Sequence, residues 1–227
     1  MLVDLPLMPL NAVLFPGMPM PLLIFEDRYL EMIRYCREED APFGVALIKE
    51  GQEVGGAAVP HEVGTTANIV AVETLENGAL QVMAVGQDRF RLVDLSQAEP
   101  YLIGRVEILT EDSGASAPQE LYRELRELFG DYLHVVLELL GQPHAEMTIP
   151  DNPAKLSYMI AAHLTAPLGV RQRLLEMDSL RERLFYERLL LKREDADYRL
   201  ILSARHRYDE LKHHAGEGSD ESIFSVN

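Results

Sequence analysis

"TANIVAVETLENGALQVMAVG", residues 66–86, carries the clearest structural instruction in the chain. Two runs rich in β-branched residues, partly alternating, flank Asn77-Gly78, a dipeptide suited to a two-residue type I′ turn with φ > 0 at both positions. The stretch therefore predicts a β-hairpin. Working outward, "RFRLVDL" (89–95), "YLIGRVEIL" (101–109), "FGVALIKE" (43–50) and "LVDLPLMPL" (2–10) add four further short strands. Many short strands punctuated by Gly and Pro predict a compact barrel up to about Asp112. One helix is expected to interrupt it and to plug or cap it: "EDRYLEMIRYCREED" (26–40), with Tyr29, Ile33 and Cys36 at i, i+4 and i+7.

The pattern changes at "TEDSGASAPQE" (110–120), a polar stretch read as a linker. Beyond it the periodicity is helical, which makes the fold class α+β, with a helical bundle over 113–214 and a tail over 215–227. Ser116 and Gln119 are placed as a capping box, followed by Leu121, Leu125, Leu128, Tyr132, Val136 and Leu139 at helical spacing up to Gly141. Asn152-Pro153 opens a second helix with Leu156, Ile160 and Leu164 on one face. "VRQRLLEM" (170–177) predicts a short third. Ser179 and Glu182 open one long last helix through residue 211. Its middle, "KREDAD" (192–197), is polar all round, so the helix is expected to project, leaving Tyr198, Ile201, Leu202 and Tyr208 in need of a partner surface.

Charge and composition narrow the function classes. Residues 1–112 hold 7 Lys+Arg against 18 Asp+Glu, and the whole chain carries −16. Such a balance repels polyanions, so no nucleic-acid partner is expected. The basic residues of the last helices alternate with acids and read as a salt-bridged surface. Cys36 is the only cysteine, which excludes an intrachain disulfide and a multi-cysteine zinc site and fits a reducing, cytoplasmic setting. The run from Leu5 to Phe25 holds no charge, yet Pro6, Pro9, Pro16, Pro19 and Pro21 rule out a membrane-spanning helix. "MLVDLP" lacks the basic start of a secretory signal.

"LPLMPLNAVLFPGMPMPLLIFEDRYLEMI", "PFGVALIKEG", "VGTTANIVAVETLENGALQVMAVGQDRFRL" and "LSYMIAAHLTAPLGVRQRLLEMDSLRERL" together resemble, in order and spacing, the amino-terminal domain of the ATP-dependent Lon protease over roughly residues 4–193. The resemblance implies a PUA-like β-barrel followed by a helical bundle and a part in substrate recognition. "FPGMPMPL" corresponds to the loop and strand near the start of that barrel, where a turn and an edge strand tolerate prolines. No G-x-x-x-x-G-K-[ST] sequence is present. Lys155 and Ser157, at i and i+2, diverge on their helix and do not form a Ser-Lys dyad. The expectation is a free-standing, non-enzymatic recognition domain with no catalytic residue, metal or cofactor.

Met8, Met18, Met20 and Met32 fit either an adaptable binding surface or core filler. Exposure decides between them. The candidate peptide-binding residues are Phe15, Pro16, Met18, Met20 and Leu22, serving exposed apolar segments of unfolded or partner proteins. Two alternatives stand beside this: self-association through the last helix or the "IFSV" tail, and a hydrolase with an unrecognised site. His163, on the apolar face of its helix, reads as a satisfied core or interface imidazole, His213-His214 as solvated, and Cys36 as a small buried hydrophobe.

Overall fold

The computed structural model describes residues 2–53, 58–96, 100–110, 117–142, 144 and 147–217, with side chains to residue 212. Seven strands precede a series of helices: β1 (Leu2–Leu10), β2 (Pro19–Ile24), β3 (Phe43–Gly51), β4 (Ala58–Pro60), β5 (Val63–Thr74), β6 (Leu80–Ser96) and β7 (Leu102–Ile108), with α1 (Asp27–Glu38) inserted after β2. The helices that follow are α2 (Gln119–Leu139), α3 (Pro153–His163), α4 (Leu168–Glu176) and α5 (Leu180–Glu217).

The sheet order is β1-β7-β6-β5-β3-β4, and β1 also pairs with β3, so the pairings return on themselves as a ring. β1 makes this possible by changing partners along its length. Residues 2–7 run antiparallel to β7 and residues 7–10 run parallel to β3. Except at Leu7, each residue of β1 has one neighbouring strand only, which accommodates Pro6 and Pro9 in an otherwise buried strand. β6 is continuous over 17 residues where the sequence suggests two shorter strands. Its first half lies between β5 and β2, its second between β5 and β7. The short strand β4 has no counterpart among the sequence expectations.

The 66–86 hairpin forms, but not with the expected turn. Gly78 has φ +82°, while Asn77 is not among the residues with positive φ. Gly78 N–H donates to the Leu75 carbonyl, Leu75 N–H to the Ala79 carbonyl, and Ala79 N–H to Asn77 Oδ1. This is a longer loop, a turn closed by a left-handed glycine, in which the Asn side chain rather than an Asn with φ > 0 satisfies the backbone.

Three apolar clusters organise the interior. α1 lays Tyr29, Met32, Ile33 and Cys36 over Met8, Ile24, Phe43, Val82 and Ala84 from the strands. Burial raises the Cys36 thiol to about 11, so it stays protonated. A second cluster, Leu5, Leu7, Ala46, Phe90 and Val106, fills the other part of the ring. The third is shared between strands and helices: Val13, Phe15, Leu47 and Val63 pack with Leu125, Phe129, Tyr158, Leu175 and Leu184.

The polar contacts at this junction are equally specific. Arg89 of β6 is 2% exposed. Its Nη1 donates to the carbonyls of Leu175 (2.8 Å) and Met177 (3.2 Å) and lies 3.2 Å from Asp178. A guanidinium at the C-terminus of α4 satisfies carbonyls the helix leaves open and meets the negative end of its dipole. Gln172 of α4 donates to the Val63 carbonyl at the start of β5, at 2.9 Å.

The helices pack much as their periodicity predicts. Asn152 caps α3 by accepting from Lys155 N–H, with Pro153 in the first turn, and Ser179 Oγ accepts from Glu182 N–H at the start of α5. Ser116 lies outside the described residues; the residue capping α2 is Pro118, with no side-chain cap bond. α5 extends to Glu217, past the expected helix end at 211. Its polar middle does not project. Glu194 Oε2 accepts from Tyr132 Oη (3.2 Å) and Thr165 N–H (3.1 Å), and further along Arg205 donates to the Leu139 carbonyl. The polar stretch thus closes the end of the bundle through hydrogen bonds instead of apolar burial.

A buried polar triad sits between α3 and α5. Arg183 Nε donates to Ser157 Oγ (2.7 Å), which donates to Glu187 Oε1 (2.8 Å), and all three side chains are buried. Burial raises the Glu187 carboxyl from 4.5 to about 8, against the opposing pulls of Arg183 and the Ser157 hydroxyl. A carboxyl that keeps its proton in the fold and loses it on unfolding contributes fully below pH 4.5, and that contribution is lost as the pH rises through about 8. Glu187→Gln is therefore expected to remove part of the decline in thermal midpoint between pH 6 and 9, a difference of several degrees by calorimetry at about pH 9. Arg89→Met should cost about 1–3 kcal/mol in urea denaturation, because it leaves the buried Leu175 carbonyl without its donor, while Met177 keeps Arg183 and Asp178 keeps Arg91.

Candidate functional site

Gly17 decides how β2 is presented. With φ +78°, it forms a bulge: Gly17 N–H donates to the Gly86 carbonyl (2.8 Å), while Gly86 N–H donates to the Met18 carbonyl (3.0 Å). From the Met18–Gly86 pair the antiparallel alternation continues down the strand, with Pro19 opposite Val85, Pro21 opposite Met83 and Leu23 opposite Gln81. The hydrogen-bonding positions toward β6 are then Met20, Leu22 and Ile24. Pro19, Pro21 and Leu23 turn their backbone to the open edge, where the two prolines supply carbonyls but no donor.

The same alternation sorts the side chains. Met20, Leu22 and Ile24 face inward with Val82, Ala84 and Ile69, over α1. Pro19, Pro21 and Leu23 face outward with Met83 and Val85 of β6 and Ala71 of β5. All six of these outward residues are exposed or half-buried, Leu23 at 60%. The result is a solvent-open apolar patch of Pro19, Pro21, Met83, Val85 and Ala71, bordered on the same face by Asn68, Glu73 and Gln81, the last opposite Leu23. On its far side β5 is irregular: Ile69 pairs with Ala84 and Ala71 with Met83, which leaves Val70 as an extra, exposed residue.

At one end the face runs into a groove of about 510 Å³ between strands and helices. Pro16, Gly17, Met18, Val85 and Gln87 form one wall, and Pro150, Ala154, Lys155 and Tyr158 the other. Tyr158 is held there by the Phe15 ring at 6.3 Å and by the Arg183 guanidinium 4.2 Å above its own ring. A second groove, of about 360 Å³, runs along β2 and takes residues from both its faces, Met20 and Leu22 as well as Pro21 and Leu23, with Leu10, Tyr29, Glu26 and Glu53 also in its lining.

The five residues singled out in the sequence therefore have different surroundings. Phe15 is 1% exposed and belongs to the core shared by strands and helices. Pro16 and Met18 line the strand–helix groove. Met20 and Leu22, both half-buried, line the second groove, along β2. Phe15, Met18 and Met20 do not make one exposed patch; the exposed face is built from their neighbours at 19, 21 and 23. Period-two alternation alone identifies two faces of β2, but the bulge at Gly17 determines which one is outside.

Among the described residues, neither Ser157 nor His163 lines these grooves. Ser157 is buried against Glu187 and Arg183 while Lys155 is exposed on the other side of α3. His163 Nδ1 lies 2.8 Å from the Met159 carbonyl and its ring meets Phe129 edge-on at 5.7 Å. The side chains of His213 and His214 lie outside the described residues, as does the "IFSV" segment. No helix among the described residues is long and apolar enough to cross a membrane.

Residues 4–193 match the family model of the ATP-dependent protease La (LON) substrate-binding domain. The chain belongs to this family. It is 31% identical over 197 residues to Lon protease 2 of Myxococcus xanthus, covering 84% of this chain and 24% of that protein. It is 26% identical over 198 residues to the Lon protease of Porphyromonas gingivalis, covering 84% and 23%. It thus spans about a quarter of the length of these relatives. Among solved structures, a Lon N-terminal domain protein from Xanthomonas campestris superposes with a TM-score of 0.64 at 29% identity, over 81% of this chain and 96% of that one. The N-terminal domain of Mycobacterium avium complex Lon protease shares the fold, with a TM-score of 0.58 at 19% identity, over 84% and 98%. This is the Lon N-terminal fold, with a long last helix. The prolines on the open edge of β2 have a checkable consequence: Pro19→Thr with Pro21→Thr restores two outward N–H groups and is expected to produce concentration-dependent association in light scattering, absent from the unsubstituted chain.

Proposed function

We propose that this chain is a non-enzymatic, cytoplasmic protein-binding module that holds exposed apolar segments of unfolded or partner proteins. The observation that carries the reading is the uncovered apolar patch of Pro19, Pro21, Met83 and Val85 leading into the groove between Met18 and Tyr158. Membership in a substrate-binding family supports it. In this reading the ring of strands is a PUA-like β-barrel up to about residue 112, and the helical bundle that follows supplies the second wall of the groove. Phe15 acts by fixing Tyr158, Pro16 and Met18 contact the bound segment, and Met20 and Leu22 serve the neighbouring groove.

The mode of binding follows from the edge chemistry. Strand addition to β2 lacks donors at Pro19 and Pro21, so the bound segment is held by side-chain contacts with the face, and its backbone stays largely solvated. Such contacts are non-directional, giving loose selectivity and an affinity on the order of 1–100 μM.

Reduced, carboxymethylated α-lactalbumin, a permanently unfolded probe, should bind with an affinity in that range by fluorescence anisotropy. Leu23→Asp with Met83→Asp is expected to weaken it at least tenfold with the thermal midpoint little changed. Met20→Asp, on the inner face, should instead lower the midpoint. Unaltered binding by the Leu23/Met83 variant would place the client elsewhere.

A further inference from the structure

The distal part of α5 carries a second apolar surface that neither the sheet face nor the groove uses. Ile201, Ala204, Tyr208 and Leu211 recur at i, i+3, i+7 and i+10, the a/d spacing of a coiled-coil seam. Ile201 is 53%, Tyr208 67% and Leu211 69% exposed. The side of α5 that packs on α2 is a different one: Tyr198 meets Tyr132, Arg205 reaches the Leu139 carbonyl and His206 lies 3.1 Å from Glu138.

Charge identifies the occupant. At about 100° per residue, Arg207 lies on one flank of the seam, and Arg205 and Lys212 on the other, each roughly 60–80° from its centre. Asp209 and Glu210 fall farther round, roughly 120–140° away. Arg205 and Arg207 donate to the neutral carbonyls of Leu139 and Ser203, which leaves their charge in place. Among the described residues, no carboxylate lies within 4.0 Å of Arg205, Arg207 or Lys212. A second copy of the chain meets this arrangement badly. In parallel pairing Arg207 of one copy faces Lys212 of the other, and in antiparallel pairing each basic flank faces itself. We infer that the seam of Ile201, Ala204, Tyr208 and Leu211 docks an amphipathic helix of another protein, apolar on one stripe and acidic on both flanks. The charges that disfavour self-pairing select this partner, as complementary flanks do in heteromeric coiled coils.

The test uses the full chain and two labelled 21-residue helical peptides with Leu at every a and d position, one with Glu and the other with Lys at every e and g. In fluorescence anisotropy at low salt the Glu peptide is expected to bind at least tenfold more tightly than the Lys peptide, and to weaken several-fold as salt rises to 0.5 M. Tyr208→Asp with Leu211→Asp should abolish the binding with circular dichroism and thermal midpoint unchanged, since both side chains are exposed. Leu23→Asp with Met83→Asp should leave it intact, which separates this surface from the apolar sheet face. Equal affinity for the two peptides, failure of the Glu peptide to bind, or a dimer in sedimentation equilibrium that Tyr208→Asp dissolves would each overturn the inference.

Discussion

The architecture depends on how a strand ring and a helical bundle are locked together, and Arg89 is the centre of that lock. Its guanidinium is buried at the end of α4, bonded to two main-chain carbonyls and beside Asp178. A buried cation is tolerated only with its donors engaged and an anion near it. Residues 175–178 supply two of its acceptors and the neighbouring anion, which ties β6 to the end of α4. Gln172 on Val63 and the shared cluster around Phe15 extend the same junction. Without it the groove between Met18 and Tyr158 would have no fixed second wall.

Inside the bundle the Ser157, Arg183 and Glu187 triad does a related task with different chemistry. An apolar trio would fill the same space and admit several packings, whereas a chain of hydrogen bonds between α3 and α5 accepts one register. Burial of Glu187 raises its carboxyl pKa. Its fold-state proton avoids a bare buried anion, and of its two oxygens Oε2 has no hydrogen-bond partner among the described residues.

Much of this was legible in the sequence because it rests on local patterns. The 66–86 hairpin, the strand at 43–51, the helix carrying Tyr29, Ile33 and Cys36, and the Asn152 cap all follow from short-range periodicity and capping chemistry. What was not legible depends on long-range geometry. The turn at Asn77-Gly78 is set by where β5 and β6 pair, the continuity of β6 by three different neighbours, and the closing role of Glu194 by the distant Tyr132 and Thr165. The candidate site shows the same limit at finer scale: the run "PGMPMPLLIF" announces an apolar strand, but a single left-handed glycine fixes its parity, so Met20 and Leu22 turn inward while Pro21 and Leu23 turn out.

The irregular residue Val70 gives the exposed sheet a property beyond recognition. On the proposed reading, a surface that gathers unfolded apolar chains would concentrate the very material from which fibrils grow, and a regular strand margin beside it would offer those chains a template for stacking. Here one margin is stiffened by pyrrolidine rings and the other is kinked by an inserted residue. A polypeptide bound as proposed would lie across such a platform without being added to it.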